Sequence, residues 1–145
     1  MKSMARIDRP RLDAATFPIV IDIQTRYDDI DMQGHVNNAA AIVILQEARA
    51  KFNVTAGLGL LLGDVRAMVA ALNVEYAAQM HYPEPVQVHI GVLSLGRTSF
   101  TITQVARQNG RSALYAEVVM VIADANGPTA LPTEIREAFQ RLCLS

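Results

Sequence analysis

The order of apolar and polar positions divides the chain into a short list of elements. Residues 1–17 mix charges, prolines and scattered apolar side chains without a sustained period, so a loose N-terminal arm is expected. Ile19 to Tyr27 is rich in β-branched residues and partly alternates, which predicts a strand. Asp28 to His35 gathers three aspartates and Gly34 and reads as a loop. Asn37 or Asn38 suits a helix N-cap, because its side-chain oxygen can accept from an orphan N–H of the first turn. The run AAAIVILQEARAKF follows without Gly or Pro, and Ala41, Leu45, Ala48 and Phe52 recur at helical spacing. Ile42, Val43 and Ile44 fill other faces. A helix apolar nearly all round its first two turns is expected to be buried, with Gly57 and Gly59 ending it.

Strand patterns dominate the rest. Val65 to Ala78 is long and carries Val74 and Tyr76 in alternation. His81-Tyr82-Pro83-Glu84-Pro85 is a turn, and Val86 to Val92 alternates apolar and polar. Gly96-Arg97 turns the chain into a second alternating run, Ser99 to Val105. Asn109-Gly110 is a strong hairpin signal before the strand Ser112 to Ala123. Asn126-Gly127-Pro128 closes that strand. A last short helix follows Leu131-Pro132, with Thr133 as its candidate cap. One strand, one buried helix and four hairpin-linked strands make an α+β layout, an antiparallel sheet of about five strands wrapped round the helix.

Length and composition fit one domain spanning 1–145. The 145 residues are 51% hydrophobic and 19% charged, enough apolar material for a core without disulfide or metal. The net charge of −1 offers no general field for nucleic acid, so an anionic ligand must be met by a local basic patch. The single cysteine, Cys143, has no internal partner. The polar start lacks a secretory apolar region and no apolar run reaches membrane-spanning length, so a cytoplasmic protein without membrane association is expected.

Several chemical signatures are missing. Gly91, Ser94 and Gly96 do not have nucleophile-elbow spacing. Gly57 to Gly63 resembles a dinucleotide loop, but its last glycine comes one position late and the segment follows a helix. His35, His81 and His89 lack zinc-like spacing, and no metal site is expected. The informative stretch is the aspartate loop. Asp28, Asp29 and Asp31 repel one another, yet they precede the N-terminus of a buried helix, where free N–H groups and the dipole favour anions. From residue type alone, one carboxylate can cap the helix while the others are solvated.

The ordered motifs go further. Asp29-Ile30-Asp31-Met32-Gln33-Gly34-His35-Val36-Asn37-Asn38, then Glu47-Ala48-Arg49, resembles the signature of hotdog-fold acyl-CoA thioesterases, within them the 4-hydroxybenzoyl-CoA thioesterase branch. Asn73-Val74-Glu75-Tyr76, the Pro83–Pro85 turn, Leu95 to Phe100, and Leu131-Pro132 extend the resemblance over about residues 19–142. It departs at Ala41, where the family pattern usually has Tyr.

The resemblance implies the hotdog fold and hydrolysis of an acyl- or aroyl-CoA thioester, with no cofactor beyond the CoA of the substrate. It assigns the catalytic carboxylate to Asp31 and the carbonyl-polarising backbone N–H to the helix start near Asn38. Gly34 allows close substrate approach, His35 orients the loop or alternatively acts as an acid or base, and Glu47 is the backup base, alternatively an i, i+4 partner of Lys51. Arg97 with Thr98 and Ser99 is the leading CoA-phosphate site; Arg107 and Arg111 are lesser candidates. Acyl-carrier-protein thioesters present the same arm and stay open as substrates. A homodimer or homotetramer with interfacial sites is implied, the Val65–Ala78 segment being its expected edge. Two other readings remain at this level: a hydratase or dehydratase on an acyl thioester, and a non-catalytic acyl-CoA-binding protein.

Overall fold

The structure, a computed structural model, describes residues 5–145 except the side chains of residues 60 and 61. In chain order it contains α1 (Arg9–Ala14), β1 (Ile19–Ile23), α2 (Asn38–Thr55), α3 (Leu58–Leu61) and β2 (Arg66–Tyr76). There follow β3 (Val86–Leu95), β4 (Ser99–Gln108), β5 (Arg111–Asp124), the two-residue β6 (Gly127–Pro128) and α4 (Thr133–Gln140). The sheet order is β1-β3-β4-β5-β2, with β6 added to β5, and every neighbouring pair is antiparallel. This is the α+β hotdog arrangement expected from the sequence.

The alternation in β3, β4 and β5 explains how one sheet encloses one helix. Val86, Val88 and Ala106 join Leu114 and Ala116 against Ala41, Ile44, Leu45 and Ala48 of α2. Toward the other end, Ile90, Ile102 and Val118 surround Phe52, and α4 closes the core with Ile135 and Phe139. Burial of each such side chain contributes about 1.5–3 kcal/mol. One polar pair sits in this apolar interface. The Arg49 guanidinium donates to Gln104 Oε1 at 3.0 Å, and Gln104 Nε2 donates to the Leu45 carbonyl at 2.9 Å. Burial lowers the Arg49 pKa.

Several boundaries differ from the sequence reading. Strand β1 stops at Ile23 because the next side chains take over its hydrogen bonding. Gln24 Nε2 donates to the Pro83 carbonyl at 2.7 Å, and the Thr25 hydroxyl donates to the Glu84 carbonyl at 2.9 Å. Gly57, at φ +70°, ends α2, whereas Gly59 lies inside α3. Pro132, not Thr133, occupies the N-cap of α4.

The expected loose arm is the main correction, apart from residues 1–4, which lie outside the described residues. Asp8 caps α1 by accepting from Arg11 N, and Ile7 and Leu12 bury themselves against Val105 and Tyr115 on the outer sheet face. Glu75 accepts from Ile7 N at 2.8 Å and Arg9 Nε at 2.7 Å. Asp13 accepts from the Tyr115 hydroxyl at 2.8 Å and the Ser112 hydroxyl at 2.9 Å. No local period marks this segment, because its partners lie some hundred residues away.

The same cover leaves one carboxylate ill-placed. Burial, then the neighbouring Glu75 charge, raises the Glu117 pKa. A raised carboxyl pKa contributes stability that is present below the unfolded value of about 4.3 and lost as pH rises through the folded value. Glu117→Gln removes this loss. Calorimetry should find the variant more stable than the parent near neutral pH, with the difference shrinking as pH falls toward 4. A difference independent of pH would contradict the assignment.

Candidate active site

The site begins with how the aspartate loop is folded. Tyr27–Asp29 forms one 3₁₀ turn. Asp29 is buried and accepts from Arg26 N at 2.9 Å and Arg26 Nη2 at 3.2 Å, while its carbonyl accepts from Asn37 N at 2.9 Å. Asp29 is therefore a brace between the loop and the start of α2.

Asp31 has a different environment. It is exposed; its Oδ1 accepts from Gln33 N at 2.8 Å and from His35 N at 3.1 Å. Its Oδ2 has no protein donor among the described residues. The Asp31 N–H donates to the His35 carbonyl at 2.8 Å, closing a tight loop. Gly34 makes that closure possible at φ +80°, a conformation that side chains with a Cβ rarely adopt. Thus the three neighbouring carboxylates are separated in function: Asp29 is internal, Asp31 is half-tethered, and Asp28 is exposed.

The loop leads directly into the helix. Asn37 caps α2, its Oδ1 accepting from Ala40 N at 2.8 Å and its carbonyl from Ala41 N at 3.0 Å. The Asn38 and Ala39 N–H groups are left without a protein acceptor among the described residues, as the first turn of a helix dictates. Tyr76, at the end of β2, donates its hydroxyl to the Asn38 carbonyl at 3.0 Å and steadies the Asn38–Ala39 peptide. In the sequence Tyr76 belongs to a motif but carries no assigned role. Only the fold brings it to α2, across 38 positions.

The remaining candidates are dispersed. The His35 backbone closes the Asp31 loop, while its ring packs edge-on against His81 with centroids 5.0 Å apart. Glu47 lies in a groove of about 530 Å³ between α2 and β1, with Arg26, Asp29 and Lys51. It is nine residues along the helix from Asn38, about 13 Å of rise. Among the described residues it forms no ion pair with Lys51. Arg97 and Thr98 sit in the β3–β4 turn, with Ser99 opening β4. Their backbones are tied down: the Arg97 carbonyl accepts from Leu131 N at 3.0 Å, and the Thr98 carbonyl from Ile122 N at 2.9 Å. Strand β4 carries the chain from this turn to the hairpin near Asn38, about 30 Å at the usual rise. Within one chain Arg97, Thr98 and Ser99 therefore do not join Asp31 and Asn38. Among the described residues no three His, Cys, Asp or Glu side chains converge as a metal site, and no helix is long and apolar enough to cross a membrane.

Comparison with known proteins places the fold in a family. The family model of the thioesterase-like superfamily matches residues 25–139. A thioesterase from Thermus thermophilus, solved in complex with coenzyme A and Zn, is 30% identical, with a TM-score of 0.76 over 87% of this chain and 95% of that one. The PA5185 protein of Pseudomonas aeruginosa PAO1 is 25% identical, with a TM-score of 0.79 over 89% and 94%. A predicted thioesterase from Bacillus stearothermophilus is 26% identical, with a TM-score of 0.77 over 86% and 95%.

Because the Asn37 side chain holds the first turn of α2, Asn37→Ala should cost about 1 kcal/mol in denaturant unfolding. Asn37→Asp, which retains the cap oxygen, should recover most of that loss. Equal losses in both variants would show that the cap bond does not carry the effect.

Proposed function

The chain belongs to the thioesterase-like superfamily and is a thioester hydrolase, and we propose that it hydrolyses an acyl-CoA, or the equivalent acyl-carrier-protein thioester, with Asp31 as the catalytic carboxylate. The observation that carries this reading is the state of Asp31. One oxygen is held by two backbone N–H groups, and the other is free, at an exposed position just before the α2 N-terminus. The free oxygen can take a proton from water as the water oxygen bonds to the thioester carbon, or can itself form that bond and yield an anhydride that water then opens. In either route the carbon–sulfur bond breaks and the CoA thiolate leaves and is protonated.

Negative charge develops on the carbonyl oxygen during attack. The Asn38 N–H is the proposed donor, supported by the Ala39 N–H and the helix dipole; such a donor is worth on the order of a hundredfold or more in rate. Gly34 and the His35 backbone hold the loop. Glu47 is left out of this step because of its distance along α2.

A homodimer completes the proposed site. Strand β2 is an edge with half-exposed Met68 and Val69, an arrangement that soluble sheets cover or pair. Its Arg66 end lies at the Arg97 end of the sheet, and its Tyr76 end lies by Asn38. Antiparallel pairing of two β2 edges about a two-fold axis would set the Arg97 end of one protomer beside Asp31 of the other. This supports Arg97, with Thr98 and Ser99, as the phosphate site for a substrate attacked in the neighbouring protomer.

Asp31→Asn should lower kcat for thiol release by on the order of a hundredfold or more with little change in KM. Near-parental turnover would remove Asp31 from the chemistry. Arg97→Ala should raise KM instead. Mixing Asp31→Asn with Arg97→Ala chains under exchanging conditions should restore low-KM turnover, because one site per mixed dimer then holds both residues. No recovery despite formation of mixed dimers, read by mass spectrometry, would reject the shared site.

A further inference from the structure

Beside the free N–H groups of α2 lies a hollow of about 390 Å³, and a second of about 270 Å³ adjoins it. Gln79, His81 and Arg111 line both, so the two form one continuous recess leading away from Asn38. Buried Val36, Ala41, Met80 and Leu114 back its inner wall, while most of its exposed lining is polar. Ala41, buried in that wall, is the position where the related pattern places a Tyr.

The rim has the opposite character. Arg111 follows the Asn109-Gly110 turn, is exposed, and forms neither an ion pair nor a side-chain hydrogen bond among the described residues. Nearby Arg107 is already engaged, donating to the Ser112 hydroxyl at 3.2 Å and pairing with Asp13 at 3.7 Å. The Glu84 carboxylate also lines the adjoining hollow, with one oxygen accepting from the Asn109 amide. His81 is fixed in place, since Gln108 accepts from its N–H at 2.8 Å and donates to its carbonyl at 2.7 Å. A guanidinium without a protein partner among the described residues therefore stands where the two hollows meet, in the same recess as Asn38 at the start of α2.

Building on the thioesterase reading above, we propose that Arg111, with Gln79 and His81 beside it, is an anion subsite that selects short acyl groups ending in a carboxylate. The acyl chain lies along the apolar wall, and its terminal carboxylate meets the guanidinium in a charge-assisted, two-pronged contact. The phosphates of CoA carry the same kind of charge, but the whole pantetheine arm separates them from the thioester. An anion held in the same recess as the reacting carbonyl belongs to the acyl group.

The test compares thiol release from acyl-CoA pairs of equal length that end in a methyl or a carboxylate, such as butyryl-CoA and succinyl-CoA. The parent protein should favour the carboxylate partner in kcat/KM. Arg111→Gln should lower that preference by on the order of tenfold to a hundredfold, the range expected for a hydrogen-bonded charge, and Arg111→Lys should retain part of it. Absence of preference in the parent overturns the proposal, as does an equal loss on both partners, which would mean that Arg111 acts through the hairpin. If Arg111→Gln weakens butyryl-CoA but not butyryl-pantetheine, the guanidinium holds a CoA phosphate and the acyl assignment falls. Release from butyryl-CoA without carboxylate preference overturns the subsite alone. Release from no thioester overturns the thioesterase reading, and the subsite with it.

Discussion

The seating of α2 in a single curled sheet is the constraint on which the rest depends. One face of the helix must satisfy strands from β1 to β5 at once, so its axis has little freedom to shift. The Arg49–Gln104–Leu45 junction adds direction to that packing, because a buried guanidinium and amide tolerate few alternative positions. A helix held along its length has a fixed beginning. The free N–H groups of Asn38 and Ala39 are thereby aimed from a rigid platform, while the loop before them carries the carboxylate.

The aspartate loop shows how like charges can be placed close in sequence without a large mutual cost. Asp29 turns inward to Arg26 and braces the entry to α2, and Asp31 spends one oxygen on its own loop. Local backbone donors thus do the work that a distant cation would otherwise do. This leaves Asp31 oriented but still solvent-accessible.

Much of this was legible in the sequence, for reasons that can be named. The helix, its asparagine cap and the buried face of Ala41, Leu45, Ala48 and Phe52 followed from local spacing, but its first two turns are not buried all round, because the sheet covers one face only and Val43 is exposed. The Asn109-Gly110 turn adopts the pair of positive φ angles, 52° and 75°, that a tight hairpin of this type needs. The loop residues Asp31, Gly34 and His35 came together because they are neighbours in the chain. What escaped were the long-range pairings. Gln104 occupies an inward position of an alternating strand, a polar residue out of phase that marks a buried partner, but nothing local identifies that partner as Arg49. Tyr76 and Asn38 meet only after β2 pairs with β5. Arg97, read from the sequence as a phosphate site, lies at the opposite end of β4 from Asn38, a separation that no local pattern encodes.

The segment covering the outer sheet face also sets an order of events during synthesis. Ile7, Leu12 and Asp13 leave the ribosome early, whereas Ser112 and Tyr115, which Asp13 holds, are made about a hundred residues later. The segment's partners in β2 and β4 are made before β5, but Ser112 and Tyr115 complete the surface only when β5 emerges. Its apolar side chains must wait in the nascent polypeptide, available to a chaperone, and they dock only when the sheet is nearly whole. The contacts that close the outer sheet face thus join residues synthesised about a hundred positions apart.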